Sequence, residues 1–216
     1  MLKDQSLYEV DLLINRYPIL LKNKESIIDA IELLYKSIKN EGKLLICGNG
    51  GSAADCIHIV GELMKSFVLP RKLPQNIQDD LKYNYPEFAD LYINNLQRGI
   101  PAVSLCSEVG LTTAYNNDCS SELVYAQQVL GYGEQNDVLI AISTSGNSKN
   151  IIHAVNIAKV LGIKVIALTG EGGGKLKNIA DILIDVNNKV TYQIQELHLP
   201  IYHTLCLALE KEMFME

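Results

Sequence analysis

Residues 43–52 read KLLICGNGGS, a short apolar run that ends directly in a glycine-rich turn. An apolar run of this length bounded by glycine predicts a buried β-strand. Similar apolar runs, most of them separated by helical patterns, recur at residues 102–106, 137–142, 164–168 and 181–186. Near-continuous apolar strands that alternate with helices are typical of an α/β fold, with a parallel sheet covered on both faces. Because ligands bind at the carboxyl ends of such strands, we expect the functional site in the loops after Cys47, Cys106 and Ile142.

Composition and charge limit the classes of function. The chain has 216 residues, 48% of them hydrophobic, and a net charge of −6 with no basic block, so no nucleic-acid partner is expected. It has no apolar run of membrane-spanning length and no signal-peptide pattern, so no membrane association is expected. Five cysteines without a CxxC pair indicate reduced thiols in a cytoplasmic protein. The length predicts a single domain over residues 1–216.

Two segments add helices to that domain. Residues 1–40 have apolar side chains at three- and four-residue steps, which predicts an N-terminal helical extension packed outside the sheet or on a partner subunit. Residues from about 68 to 100 contain three prolines and predict a long excursion with one helix, from Pro86 to Gln97. Excursions of this length are often functional, and a subunit contact is the alternative.

The last segment predicts a long amphipathic helix from about Gln195 to Phe214. Pro200 lies near its start, and proline is tolerated in the first turn of a helix. The regular helix is therefore expected to begin near Leu199.

Two loops have the composition of anion sites. The turn at residues 48–52 opens a helix, with Ser52 as the expected N-cap, and it matches neither GxGxxG nor the P-loop pattern. Residues 143–148 read STSGNS at the end of the third strand and precede a helix predicted over residues 150–161. Four hydroxyl groups together with the N–H groups of a helix terminus can enclose a phosphate dianion without arginine. A phosphate site is therefore predicted at residues 143–148.

Candidate metal ligands lie on two helices. His58 and Glu62 are four residues apart, so their side chains share one helical face and could hold a divalent ion such as Zn²⁺. Gln195 and His203 are eight residues apart, about 12 Å along a regular helix. Spacing alone does not favour His203 over His198. For His198, and for His153 after the phosphate loop, a structural role is the simpler interpretation.

Taken together, these motifs resemble the phosphoheptose isomerases of the SIS (sugar isomerase) superfamily. The motifs that carry the resemblance are GNGGSAAD at 48–55 with His58 and Glu62, ISTSGNS at 142–148, the LTG and GGK pieces within 168–175, and QELHLPIYH at 195–203. The resemblance implies a five-stranded parallel sheet in a flavodoxin-like arrangement and a homotetramer. It also implies interconversion of sedoheptulose 7-phosphate and an aldose phosphate through an enediol, with one Zn²⁺ per subunit.

The resemblance also assigns roles to residues. It places the metal on His58, Glu62, Gln195 and His203, and so selects His203 over His198. It makes Glu62 the base and His203 the acid, with Gln195 also at the substrate. The substrate contacts that it implies are Ser143, Thr144, Ser145 and Ser148, with Asn49, Gly50 and Ser52 from the first loop.

Three positions depart from the family pattern near the sugar end of the expected site. Glu108, the expected contact to the sugar hydroxyls, stands where the family typically has Asp. Ser66 stands in place of a basic residue, and Tyr192 in place of Asp. Two alternatives therefore stay open: an isomerase of a different sugar phosphate, and a non-catalytic SIS protein that binds a sugar phosphate or a replication initiator. The complete set of four metal-binding residues favours an enzyme.

Overall fold

The computed structural model describes residues 2–215, and its centre is a parallel sheet in the order β2-β1-β3-β4-β5. The strands are β1 (Leu44–Cys47), β2 (Ala102–Ser104), β3 (Val138–Ile142), β4 (Lys164–Thr169) and β5 (Ile182–Asp185). Each neighbouring pair is parallel, as in the register of Leu45 with Leu139. This strand order is the flavodoxin-like one, so the predicted fold is confirmed. Because β1 lies between β2 and β3 and all three are parallel, the loops that follow them lie side by side at the carboxyl ends of the strands.

Helices cover both faces of the sheet. In chain order they are α1 (Asp4–Arg16), α2 (Lys24–Lys39), α3 (Gly51–Met64), α4 (Gln75–Asn84), α5 (Ala89–Asn95), α6 (Val109–Asp118), α7 (Val124–Tyr132), α8 (Lys149–Val160) and α9 (Thr191–Phe214). Side chains alternate across β1: Leu44 and Ile46 join the core formed with α1, α2, α3 and α9, whereas Leu45 and Cys47 join the core formed with α7 and α8. No helix among residues 2–215 has both the length and the hydropathy needed to cross a membrane.

The N-terminal helices pack on the outside of the sheet, which was one of the two predicted positions; the other was a partner subunit. Helix α1 lies against α9, where the buried Ser6 hydroxyl donates to the carbonyl of Ala208 at 3.1 Å. The prediction of one domain over residues 1–216 stays a prediction, and its first and last residues lie outside the described part of the chain.

The prediction of one helix in the excursion is wrong, because the structure has two short helices there, α4 and α5. Pro86 lies between them. The residue before a proline is pushed out of the helical region, and Tyr85 has φ −137° and ψ 55°. Helix α4 therefore ends before Pro86, and a second helix begins after it.

The predicted start of the last helix is also wrong. Helix α9 begins at Thr191 and continues through Pro200, which lies inside it. An interior proline removes a backbone hydrogen bond and costs about 3 kcal/mol. Buried side chains on both sides of it, including Ile194 and Ile201, hold the helix against the core and offset that cost.

Candidate functional site

Three side chains with acid–base or metal-binding chemistry meet between α3 and α9. Nε2 of His58 lies 3.3 Å from Oε1 of Glu62, one turn further along α3. It also lies 3.4 Å from Nε2 of His203, which comes from α9. The two helices thus bring together residues that are about 140 positions apart in the sequence.

His203 sits in a half-buried setting. Its ring packs against the rings of His58 and Tyr202, with centroids 5.0 Å away in both cases, and against Phe67 at 5.6 Å. Burial lowers the pKa of the His203 imidazole, and the neighbouring His58 lowers it further. The ring is therefore held towards its neutral form, which can accept a proton or bind a metal ion through a nitrogen lone pair.

Glu62 is held at both its side chain and its backbone. Oε2 accepts a hydrogen bond from Nζ of Lys65 at 3.0 Å, while Oε1 faces His58. The backbone carbonyl of Glu62 accepts from Arg71 at 3.2 Å. Arg71 is itself buried and paired with Glu210, Nε to Oε1, at 2.7 Å. The carboxylate therefore projects from a helix end that a buried ion pair fixes in place.

The donor set fits a zinc ion by type, and two of its three donor pairs fit by spacing. Ligand atoms about 2.0–2.1 Å from a tetrahedral zinc lie about 3.3–3.4 Å from each other. The pairs His58–Glu62 and His58–His203 have these separations, 3.3 and 3.4 Å. No group of three or more His, Cys, Asp or Glu side chains within residues 2–215 forms a complete ready-made metal site. Binding an ion would therefore require side-chain rotation, with a further ligand from another residue type.

Gln195 lies where α9 passes over the first turn of α3. A Cβ added at Gly51 would come within 2.6 Å of the Gln195 side-chain nitrogen, so the Gln195 amide lies directly over this glycine. The amide thus lies at the start of the helix that carries His58 and Glu62.

The loop after β1 is hydrogen-bonded to the start of α8 through a pair of side-chain amides. Nδ2 of Asn49 donates to Oδ1 of Asn150, and Nδ2 of Asn150 donates back to Oδ1 of Asn49, both at 2.9 Å. The prediction that Ser52 caps α3 is wrong: the cap position belongs to Gly50, with φ +57°, and Ser52 is buried inside the first turn. A positive φ is accessible to glycine without strain, which explains the shift in the start of the helix.

The hydroxyl-rich loop at residues 143–148 lies between β3 and α8, as predicted. Ser148 occupies the N-cap position of α8, yet its side chain does not cap the helix. Its hydroxyl pairs instead with that of the buried Ser143, at 3.0 Å between the oxygens. Thr144 is half-buried, and Ser145 is exposed. In the first turn of α8 the N–H of Ile151 donates to Oδ1 of Asn150 at 3.0 Å, whereas those of Lys149 and Asn150 have no partner among the described residues, so an anion could accept from these two.

A second glycine-rich segment, residues 172–175, packs against this loop. Gly146 has φ +63°, and a Cβ there would lie 2.0 Å from the carbonyl oxygen of Gly173. The N–H of Lys175 donates to the Asn147 side chain at 3.1 Å. The GGK motif thus holds the shape of the hydroxyl-rich loop.

Within the described residues, no side chain at the three positions that depart from the family pattern is hydrogen-bonded to His58, Glu62 or His203. Glu108 is exposed at the start of α6, and its backbone carbonyl accepts from Thr112. The Ser66 hydroxyl is turned away and donates to the carbonyl of Leu69 at 2.7 Å, while Tyr192 is 60% exposed on the first turn of α9. Lys65, next to Ser66, supplies the positive charge beside Glu62.

The structural interpretation of His198 agrees with its surroundings. The ring is fully buried, and its Nε2 lies 3.2 Å from the carbonyl oxygen of Thr169. Burial lowers its pKa to about 4. His153, on α8, lies in a surface pocket with Tyr115 and Leu130 on the other side of the sheet from α3 and α9.

Sequence reasoning missed two residues that contact the cluster, Asp55 and Tyr202. The hydroxyl of Tyr202 lies 3.0 Å from Nδ1 of His58 and donates to Oδ1 of Asp55 at 3.2 Å. Burial raises the pKa of Asp55, and the hydrogen bond from Tyr202 acts in the opposite direction. Asp55 lies three residues before His58, a helical spacing that could have pointed to it. Tyr202 carries no such signal, because its contact depends on how the two helices pack.

The chain is similar to known proteins over most of its length. The chain matches the SIS domain family over residues 17–78 and 96–170, and the interruption falls in the excursion that holds α4 and α5. A phosphoheptose isomerase of Helicobacter pylori (strain Shi470) is 39% identical over 188 residues, which cover 87% of this chain and 84% of that protein.

Two solved structures are similar over nearly the whole chain. The phosphoheptose isomerase GmhA from Neisseria gonorrhoeae has a TM-score of 0.71 and 31% identity, and the match covers 96% of this chain and 94% of that one. A phosphoheptose isomerase from Francisella tularensis has a TM-score of 0.70 and 30% identity over the same shares.

Proposed function

This chain belongs to the phosphoheptose isomerase family of SIS-domain proteins, and from that premise we propose that it interconverts sedoheptulose 7-phosphate and a heptose 7-phosphate through an enediol. The observation that carries the proposal is the meeting of His58, Glu62 and His203 at separations of 3.3 and 3.4 Å. Two of the three residues, His58 and Glu62, lie on the helix that opens from the first loop, and the amide pair of Asn49 and Asn150 links that loop to the start of α8.

The reaction moves one proton from C1 to C2 of the sugar and one between the two oxygens. A base must remove the carbon-bound proton, and an acid must serve the oxygen where negative charge develops. Glu62 is the base in this proposal, since it is the carboxylate of the cluster. His203 is the acid that exchanges a proton with the sugar oxygens, and its half-buried imidazole suits that exchange.

The phosphate end is assigned to the loop after β3. The hydroxyls of Ser143, Thr144, Ser145 and Ser148 and the N–H groups at the start of α8 would donate hydrogen bonds to the dianion, with Asn49, Gly50 and Ser52 completing the substrate contacts from the first loop. Support comes from Ser148, whose hydroxyl is not used to cap α8. Glu108 is assigned to the sugar hydroxyls.

One zinc ion per subunit is part of the proposal. His58, Glu62 and His203 would hold it, with Gln195 as the fourth ligand. When bound, a zinc ion would polarise the sugar carbonyl and help to orient the substrate. Glu62 already has Oε2 engaged by Lys65 and Oε1 facing His58, so one of its oxygens has to be released for it to act as a base.

A homotetramer in the cytoplasm completes the proposal. Its support is the set of large apolar side chains that the excursion leaves exposed, among them Tyr83 at 87% and Leu91 at 59%. The cytoplasmic assignment rests on the free thiols of all five cysteines. Light scattering at several protein concentrations tests the subunit number.

The test of the function is isotope exchange. We would incubate the protein, with and without Zn²⁺, with C5 to C7 ketose phosphates in heavy water and look for deuterium at C2 of the aldose product. Glu62→Gln should lower the rate at least about 100-fold, the lower range for loss of a general base. Glu32→Gln is the matched control, because Glu32 also lies on a helix with a lysine beside it, Lys36 at 3.4 Å. Absence of exchange with every sugar, or full exchange in Glu62→Gln, refutes the proposal.

A further inference from the structure

The side chains of Asp55, Tyr202 and His58 form a hydrogen-bonded chain behind the site. The Tyr202 hydroxyl lies 3.2 Å from Oδ1 of Asp55 and 3.0 Å from Nδ1 of His58. Tyr202 is 1% exposed, so bulk water does not compete for its hydroxyl. The other carboxylate oxygen of Asp55 is buried and has no hydrogen-bond partner among the described residues. Tyr202 is therefore the group through which this carboxylate acts.

The number of protons available determines which group donates in each of these two hydrogen bonds. A tyrosine hydroxyl has one proton to donate, and an ionised carboxylate can only accept. If the proton of Tyr202 goes to Asp55, the contact with His58 requires Nδ1 to carry a proton and donate it to the tyrosine oxygen. A neutral imidazole has one N–H, so Nε2 of His58 is then left with its lone pair. Nε2 is the atom that faces Glu62 and His203.

We propose that Asp55 and Tyr202 are positioning residues that fix His58 in the Nδ1–H tautomer and so present the Nε2 lone pair to the site. The role rests on the proposed function in one respect: a metal ligand must offer a lone pair, and carboxylates hydrogen-bonded to the other ring nitrogen commonly supply this orientation to histidine ligands. Here the Asp55 carboxylate is hydrogen-bonded to the Tyr202 hydroxyl, and that hydroxyl contacts His58. The two groups come from different helices, so the device also ties α3 to α9 beside the cluster.

The tautomer can be read directly in protein free of metal and substrate. Two-bond ¹H–¹⁵N correlation spectra distinguish the two neutral tautomers, and His58→Gln identifies the His58 signals among the four histidines. The spectra are recorded well above the ordinary histidine pKa of about 6.5, so that the ring is neutral. We expect the Nδ1–H form in the wild type. A wild-type ring protonated on Nε2 overturns the proposal, because Tyr202 would then donate its proton to Nδ1 of His58 and not to Asp55.

Two variants test the two hydrogen bonds of the Tyr202 hydroxyl, one with His58 and one with Asp55. Tyr202→Phe keeps the ring and removes the hydroxyl, so His58 loses its acceptor and should leave the Nδ1–H form. Asp55→Leu keeps a similar shape and removes the acceptor of the tyrosine proton. Tyr202 then has Nδ1 as its remaining partner and should donate to it, which converts His58 to the Nε2–H form. Tyr35→Phe on α2 is the matched control and should leave the spectrum unchanged.

The second readout is the affinity for zinc, measured by competition with a chelator. Both variants should bind zinc at least about tenfold more weakly than the wild type, the usual effect of losing the hydrogen bond that orients a histidine ligand. Unchanged tautomer and unchanged affinity in Tyr202→Phe overturn the proposal; if that variant does not fold, Asp55→Leu and the wild-type spectrum decide it. An Nδ1–H wild type without isotope exchange would refute the proposed function alone, whereas exchange with an Nε2–H wild type would refute only the positioning role.

Discussion

The buried ion pair of Arg71 and Glu210 gives the sharpest prediction of stability. Both side chains are 0% exposed, and Glu210 also accepts hydrogen bonds from three consecutive backbone N–H groups, those of Phe67, Val68 and Leu69, at 2.8 to 3.1 Å. Arg71 in turn donates to the carbonyl of Leu63 at 2.5 Å, next to that of Glu62. The change we propose is Glu210→Gln, which keeps the shape and one acceptor oxygen but removes the negative charge.

Removing one partner of a buried pair leaves the other charge uncompensated and costs about 3–5 kcal/mol. For a chain of this length, each kcal/mol lowers Tm by about 2–4 °C, so we expect a fall of between about 6 and 20 °C. Urea unfolding at fixed protein concentration measures the free energy. The double variant Arg71→Met/Glu210→Gln should be more stable than Glu210→Gln alone, because no charge is then left unpaired.

The exposed pair of Lys149 and Glu122 provides the control for this experiment. Its side chains are 74% and 47% exposed, so Glu122→Gln should leave the unfolding midpoint unchanged. A loss below about 1 kcal/mol in Glu210→Gln, or a double variant less stable than the single one, would refute the reasoning. In that case the three backbone hydrogen bonds, rather than the charge, would account for the burial of Glu210.

Three further predictions concern the phosphate loop, a buried histidine and a reactive thiol. Ser145→Ala should raise KM at least several-fold by loss of a hydrogen bond to a charged group, while Ser121→Ala leaves it unchanged; an unaltered KM in Ser145→Ala would mean that the loop is misassigned. The folded-state pKa of His198, lowered to about 4 by burial, lies below the unfolded value of 6.5, so its contribution to stability is complete above pH 6.5 and is lost as pH falls towards 4. His198→Gln should therefore flatten the pH dependence of the unfolding free energy by about 3 kcal/mol over that range, and an unchanged slope would contradict the assignment. A hydrogen bond with Cys56 lowers the pKa of Cys106 to about 6 against the effect of burial, so iodoacetamide should alkylate a thiol with a midpoint near pH 6, and Cys106→Ser should abolish that phase.

The sheet could be predicted because each strand is a short apolar run that ends at a turn. Strands buried on both faces have nearly every side chain in a core, so the signal for β1 and β3 is local and strong. The hydroxyl-rich loop was predictable for a similar reason, since the residues 143–148 are contiguous and follow a strand.

The sequence was less informative where packing decides the outcome. The helix through Pro200 depends on burial along α9, which a local rule for proline does not include. His198 and His203 are five residues apart, about 140° around the helix, and so point in different directions. Which of them faces His58 is fixed by the way α9 crosses α3, and the contact of Tyr202 with Asp55 depends on the same crossing.

The amide pair of Asn49 and Asn150 has a consequence for substrate size. It joins the loop after β1, which leads into the helix of His58 and Glu62, to the helix start that follows the phosphate loop. Strands β1 and β3 are hydrogen-bonded neighbours, so neither loop can move away independently of the sheet. In the proposed site, the span from the phosphate loop to Glu62 is thus set by the scaffold. A ketose phosphate with fewer carbons, bound by its phosphate, would leave its carbonyl short of Glu62, and the enzyme should discriminate among sugars first by the number of carbons.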